Sequence, residues 1–142
     1  MKLVQHLLDT KGGDVISITP EASVFDAIKL MADRAVGSLL VMQGEELIGI
    51  VTERDYARKV ILLGRSSETT MVEKIMSTEI IAASVEQTVQ ECMTLMTEKR
   101  IRHLPVVAGD RVIGLISIGD LVQAIISDQQ QAIEQLENYI SG

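Results

Sequence analysis

An α+β fold built from two tandem β-α-β-β-α repeats in one pseudo-twofold arrangement, with additional terminal helices, is what the sequence predicts, on three observations. The stretch Gly49-Ile50-Val51-Thr52-Glu53-Arg54-Asp55 returns as Gly114-Leu115-Ile116-Ser117-Ile118-Gly119-Asp120, an offset of 65 residues. The chain slid onto itself by 65 stays in register without a gap: Ile16 falls on Ile81, Val24 on Val89, Leu30-Met31 on Leu95-Met96, Val41 on Val106 and Gly44 on Gly109. Within each copy, short apolar runs bounded by Gly or Pro alternate with stretches at helical spacing. Such a period constrains fold and function together.

Residues 1–14 are expected to form an N-terminal helix, because Leu3, Val4, Leu7 and Leu8 lie at helical spacing before Lys11-Gly12-Gly13, a glycine stop. The first repeat then occupies residues 15–64. Its strand Val15-Ile16-Ser17-Ile18 is ended by Thr19-Pro20, since proline removes a ladder donor. Ser23 to Asp26 has capping-box spacing, and Val24, Ile28, Met31 and Ala35 are expected to face the core, with Gly37-Ser38 breaking the helix. Leu39 to Met42 and Leu47 to Val51 form a hairpin about Gly44-Glu45, and Thr52 caps a second helix running to about Gly64.

Residues 65–79 read as a linker, polar from Arg65 to Thr70, with a short helix from Met71 to Met76 that resembles the opening one. The second repeat occupies residues 80–127: Ile80-Ile81 is its strand, Thr88 to Glu91 its capping box and Val89, Met93 and Met96 its core stripe. Leu104 to Val107 and Val112 to Ile116 form its hairpin. After Asp120 the helix continues into an extension at 128–142. There Ile126, Ile133 and Ile140 recur every seven residues, the pattern of a helix that pairs with its own copy or lies over a neighbour.

Composition narrows the function. With 142 residues, 46% hydrophobic, the chain is expected to build one core shared by its halves; 2% aromatic content with 7 Met makes that core aliphatic. A net charge of −7 argues against nucleic acid or an anionic membrane as partner. The lone Cys92 excludes an internal disulfide, the N-terminus lacks a signal-peptide pattern, and no run approaches a membrane span, so a cytoplasmic protein is expected. Two His and one Cys offer no metal spacing and no nucleophile with its base. Cys92 falls on the core side of its helix, and no enzyme activity or metal requirement is expected.

The duplicated unit with Gly, two apolar residues, a hydroxyl, two variable residues and Asp closing each hairpin resembles a CBS-domain pair, or Bateman module. The resemblance spans residues 15 to 127. The run Thr52-Glu53-Arg54-Asp55-Tyr56-Ala57-Arg58-Lys59, with Arg100-Ile101-Arg102-His103-Leu104-Pro105 and Ile116-Ser117-Ile118-Gly119-Asp120, is similar to the small stand-alone CBS-pair proteins of bacteria and plants. The resemblance implies a cleft between two sheets that binds an adenosyl ligand, AMP foremost, or NAD(H), ATP or S-adenosylmethionine. It also implies a regulatory protein acting on a separate, unknown partner, and a homodimer associating through its helices.

It further implies two sites. One takes Ile16, Val36, Gly37 and Ser38 with Leu115, Ser117 and Asp120; the other takes Ile81, Ile101, Arg102 and His103 with Ile50, Thr52 and Asp55; Arg54 and Arg100 are further candidate ligand-binding residues. The residues suit this chemistry. A hydroxyl at a helix N-terminus stands where free N–H groups attract phosphate, and a carboxylate one turn on can accept two ribose hydroxyls. Both motifs are equally legal helix caps, with the hydroxyl at N-cap and the carboxylate at N3, and a duplication copies caps too. Arg100, Arg102 and His103 form a basic cluster beside a strand, Arg102 being the better phosphate clamp; their counterparts Ala35, Gly37 and Ser38 are uncharged.

Overall fold

The elements run α1 (Val4–Lys11), β1 (Ser17–Ile18), α2 (Val24–Arg34), β2 (Ser38–Gln43), β3 (Glu46–Thr52), α3 (Glu53–Tyr56), α4 (Val89–Lys99), β4 (His103–Ala108), β5 (Arg111–Ser117) and α5 (Ile118–Ser141). This is a computed structural model, and it describes residues 2–141. Two units result: Val15–Ile81 is one, and the segment up to Asp14 joins the segment from Ala82 onward in the other.

Both hairpins form as expected. The β2–β3 register runs from Ser38↔Thr52 to Gln43↔Glu46 and the β4–β5 register from His103↔Ser117 to Ala108↔Arg111. Each slips by one residue at the same place, between Val41 and Met42 and between Val106 and Val107, so the bulge has been duplicated with the fold. Val41 and Val106 are both buried.

The first strands differ between the copies. β1 pairs parallel with β2, and Leu40 N–H donates to the Ile16 carbonyl at 3.2 Å. The expected strand at Ile80-Ile81 does not form; the second copy keeps one parallel bridge, Ala83↔Val106. The residue matching Leu40 is Pro105, which has no N–H to give Ile81, and the ladder therefore shrinks to Ala83.

Capping chemistry starts both core helices. Ser23 Oγ accepts from Asp26 N–H, and Thr88 with Glu91 makes the reciprocal box. The buried face of α2 is Val24, Ala27 and Met31 and that of α4 is Val89, Cys92 and Met96. The expected face was turned slightly: Ile28 and Met93 are half-buried, and the small Ala27 and Cys92 take the centre, leaving room for the strands. Ala35 is no core residue. It is exposed and, like Arg100, ends its helix in the left-handed region at φ 55°. The helix capped by Thr52 also differs from expectation. Beyond Tyr56 it widens into π-helical geometry over Ala57–Ile61, with Leu62 N–H donating to Ala57 O, and stops short of Gly64.

The opening segments are exchanged between the repeats. Residues 71–77, a single 3-10 turn over Val72–Lys74 and not a second α1, pack on the repeat before them. Val72 N–H donates to Ala22 O, Glu73 N–H to Pro20 O, and Ser77 and Ile50 exchange both main-chain bonds. The N-terminal segment makes the matching bonds on the second repeat: Val4 N–H to Gln87 O, Gln5 N–H to Val85 O and Val89 N–H to Lys2 O. Accordingly Val72 and Ile75 join the core of Val24, Met31, Leu39, Val41 and Val51 in one unit. Val4 and Leu8 are buried in the other.

α5 buries Leu121 and Ala124, and Lys2 Nζ lies 3.6 Å from Asp128. From Gln129 to Ser141 every residue is exposed, including Ile133, Leu136 and Ile140. Among the described residues no helix is long and apolar enough to cross a membrane.

Candidate functional site: two hydroxyl–carboxylate caps

In the unit Val15–Ile81, β3 delivers Thr52 to the N-cap of α3. Thr52 Oγ1 accepts from Asp55 N–H at 3.1 Å, while Asp55 Oδ2 accepts from Thr52 N–H at 3.0 Å and from the Thr52 hydroxyl at 3.1 Å. The cap chemistry expected from the motif is therefore present. Lys59, one turn further on, sets its ammonium 3.4 Å from Asp55 Oδ1 and donates to the Ile75 carbonyl at 2.9 Å. Glu53 N–H is taken by the Gly37 carbonyl, which ties the start of α3 to the entry of β2. Ser38, directly opposite Thr52, is buried; Ile16, Val36, Gly37 and Ile50 are half-buried, and Arg54 is exposed. Ile81 is half-buried but lies outside any strand.

The other unit repeats this construction with two differences, one in the hydroxyl's bonds and one in the source of the cation. Ser117 N–H donates to Asp120 Oδ2 at 2.8 Å, Asp120 N–H donates to Ser117 Oγ at 3.1 Å, and Ile118 N–H is taken by the Arg102 carbonyl. The cation on the carboxylate comes from elsewhere in the chain. Lys11, the last residue of α1, places Nζ 2.6 Å from Asp120 Oδ2 and 2.8 Å from the Leu115 carbonyl. Where Lys59 would have its counterpart stands Ala124, which is buried.

Of the expected basic cluster, His103 opens β4 opposite Ser117. Burial pushes its imidazole below the ordinary value; Asp120 pulls upward, and the Lys11 and Arg102 charges add to the lowering. His103, Arg102, Lys11 and Asp120 thus feel one another. Arg100 and Arg102 are exposed and make no ion pair among the described residues; Ile101 and Leu115 are half-buried. Burial by itself opposes the Asp120 charge, but hydrogen bonds from Lys11 and the Ser117 N–H, aided by the Lys11 charge, hold the carboxyl below its usual range. Among the described residues, no group of three or more His, Cys, Asp or Glu could hold a metal ion.

Sequence reasoning missed both lysines. Lys59 was legible, standing four residues after Asp55 on a helix. Lys11 was not, because its partner is 109 residues away and its neighbours Gly12-Gly13 read as a helix stop.

Known proteins share this fold. A CBS-domain protein from Burkholderia ambifaria is 51% identical, with a TM-score of 0.88, covering 90% of this chain and 96% of that one. The mitochondrial CBS domain-containing protein CBSX3 of Arabidopsis thaliana is 40% identical over 98% of this chain and 72% of its own length. The CBS domain pair of protein MJ0100, solved in complex with 5′-methylthioadenosine and S-adenosyl-L-methionine, has a TM-score of 0.76 over 90% of this chain and 98% of that one. At 23% identity it shows likeness of fold alone. The CBS domain itself matches residues 7–61 and again 72–127, one match for each copy, and the chain therefore belongs to the CBS domain family as a CBS pair.

Proposed function

We propose that this CBS pair is a regulatory sensor of an adenosyl ligand, AMP foremost, whose occupancy is read by a separate partner protein. The observation that carries the reading is the repeated hydroxyl–carboxylate pair, Thr52 with Asp55 and Ser117 with Asp120. Each is fixed by its own cap bonds and each is charge-balanced by a lysine. A carboxylate so placed can accept two vicinal ribose hydroxyls, and Arg102 supplies an exposed guanidinium for phosphate. The complex formed by the MJ0100 pair supports adenosyl chemistry for this fold. It also favours a second reading, in which the ligand is S-adenosylmethionine; NAD(H) and ATP are the other adenosyl compounds of that reading. In either reading the protein turns nothing over. It works as a homodimer in the cytosol, where its single buried Cys92 stays reduced.

Calorimetric titration tests the reading. Asp55→Ala and Asp120→Ala should each cost one site about 1.5–3 kcal/mol, a tenfold to hundredfold loss for AMP, and leave the other site nearly unchanged. Mass spectrometry of the ligand released from freshly purified protein identifies which adenosyl compound is carried. Unchanged affinity in both variants removes the ribose assignment, and no binding of any adenosyl compound leaves an interaction module whose motifs are caps alone.

A further inference from the structure

Lys11 is not needed to complete the cap it touches. Asp120 Oδ2 already accepts from Ser117 N–H, and Ser117 Oγ already accepts from Asp120 N–H, which is the whole of a capping box. The ammonium is an addition, carried in from α1 over 109 residues and also bonded to the Leu115 carbonyl. It contributes little to stability, because the lysine side chain is 38% exposed and the aspartate 27%. Its weight falls on what Asp120 can bind.

We infer that Lys11 is a specificity-determining residue that makes the Asp120 half select 5′-phosphorylated adenosyl ligands over neutral or cationic ones. The inference rests on the reading that Asp120 receives a ribose. Ribose hydroxyls arriving at Asp120 compete with the ammonium already there. A neutral nucleoside displaces that cation and gives it nothing in return. A sulfonium ligand brings a second positive charge to a place that already holds the Lys11 ammonium. A nucleotide instead supplies a phosphate to which the ammonium can turn on its flexible four-carbon stem, exchanging one charge-assisted bond for another. Repeat 1 lacks this arrangement. Lys59 comes from the turn after Asp55 and lies 3.4 Å from its carboxylate, against 2.6 Å for Lys11 and Asp120.

The test is calorimetric titration of AMP and of adenosine into the full chain, as wild type, Lys11→Met, Lys11→Arg and Asp120→Ala, with thermal melts establishing that each variant is folded. Lys11→Met should weaken AMP at the Asp120-dependent site about tenfold and leave adenosine unchanged or tighter, while Lys11→Arg retains the preference for AMP. The Asp55-dependent site should not respond. An AMP-to-adenosine ratio that Lys11→Met leaves unaltered, at a site that Asp120→Ala weakens, overturns the selecting role and spares the ribose reading. Binding that Asp120→Ala does not touch overturns both.

Discussion

Met76 Sδ fills the space above Gly49: a Cβ built on that glycine would lie 2.6 Å from the sulfur and 3.0 Å from the Ser77 carbonyl oxygen. Gly114 is the matching position, and there Leu8 Cδ2 would lie 2.6 Å away with no backbone atom among the three nearest. A methionine tail or a leucine methyl can swing aside, but a carbonyl held in a main-chain bond to Ile50 cannot. Gly49→Ala should therefore cost about 2–3 kcal/mol and Gly114→Ala about 1 kcal/mol, within the range for overpacking. Urea unfolding of the two variants checks the order.

Removing the cap hydroxyls should separate the two repeats in the same way. Ser117→Ala removes one bond, from Asp120 N–H, whereas Thr52→Ala removes the bond from Asp55 N–H and the hydroxyl's own bond to Asp55 Oδ2. The expected losses are about 1 kcal/mol for Ser117→Ala and nearer 2 kcal/mol for Thr52→Ala. Equal losses would show that the second bond to Asp55 carries no weight.

Two groups contribute to the acid side of the stability profile. The Asp120 carboxyl is held below 3.8, so the stability it confers is complete above that value and is lost as pH falls through the lower folded one. Lys11→Met leaves burial acting without the ammonium, which raises the folded value toward 3.8, so this acid-side loss should shrink. The His103 imidazole is lowered from 6.5 by burial. Below about pH 6.5 the unfolded chain takes a proton that the folded chain resists, so stability falls as the pH drops through that window. His103→Gln should flatten this part of the profile, measured by denaturant midpoints at successive pH values.

Cys92 is buried in the core of α4, and its thiol is raised first by burial and then by Glu91. A thiol reagent at neutral pH should label the native protein only as fast as the unit opens. Labelling as rapid as that of a free thiol would contradict the packing of α4.

The exposed face of α5 bears on self-association. Ile133, Leu136 and Ile140 are 54%, 62% and 83% exposed, an apolar line on a helix that extends past the last buried residue of its own unit, Ala124. Truncation after Asp128 should weaken the proposed homodimer. Sedimentation of full-length and truncated chains decides it, a stable full-length monomer at micromolar concentration counting against the dimer.

Most of the fold could be read from the sequence because the duplication states it twice. The hairpins, the caps at Ser23 and Thr88, the burial of Val41 and Val106 and the long α5 all follow from local pattern. The misses have non-local causes. Ile80-Ile81 has the composition of a strand, but the donor that would pair it belongs to position 105, where the chain has proline. Met71 to Met76 has the spacing of α1, but the N–H groups of Val72 and Glu73 go to Ala22 and Pro20, and only a single 3-10 turn closes within the segment. At the candidate site, Thr52, Asp55, Ser117 and Asp120 announce themselves by motif. Lys11 is defined by tertiary structure alone.

The exchange of opening segments also sets an order of events during synthesis. Everything that the unit Val15–Ile81 needs has emerged by residue 81, so it can fold behind the ribosome on local contacts. α1 is made before its partners and finished after them: Gln5 waits for Val85, Val4 for Gln87, Leu8 for Gly114 and Lys11 for Asp120. α1 thus docks after the unit that follows it in the chain, and until then its apolar stripe is open to chaperones and proteases.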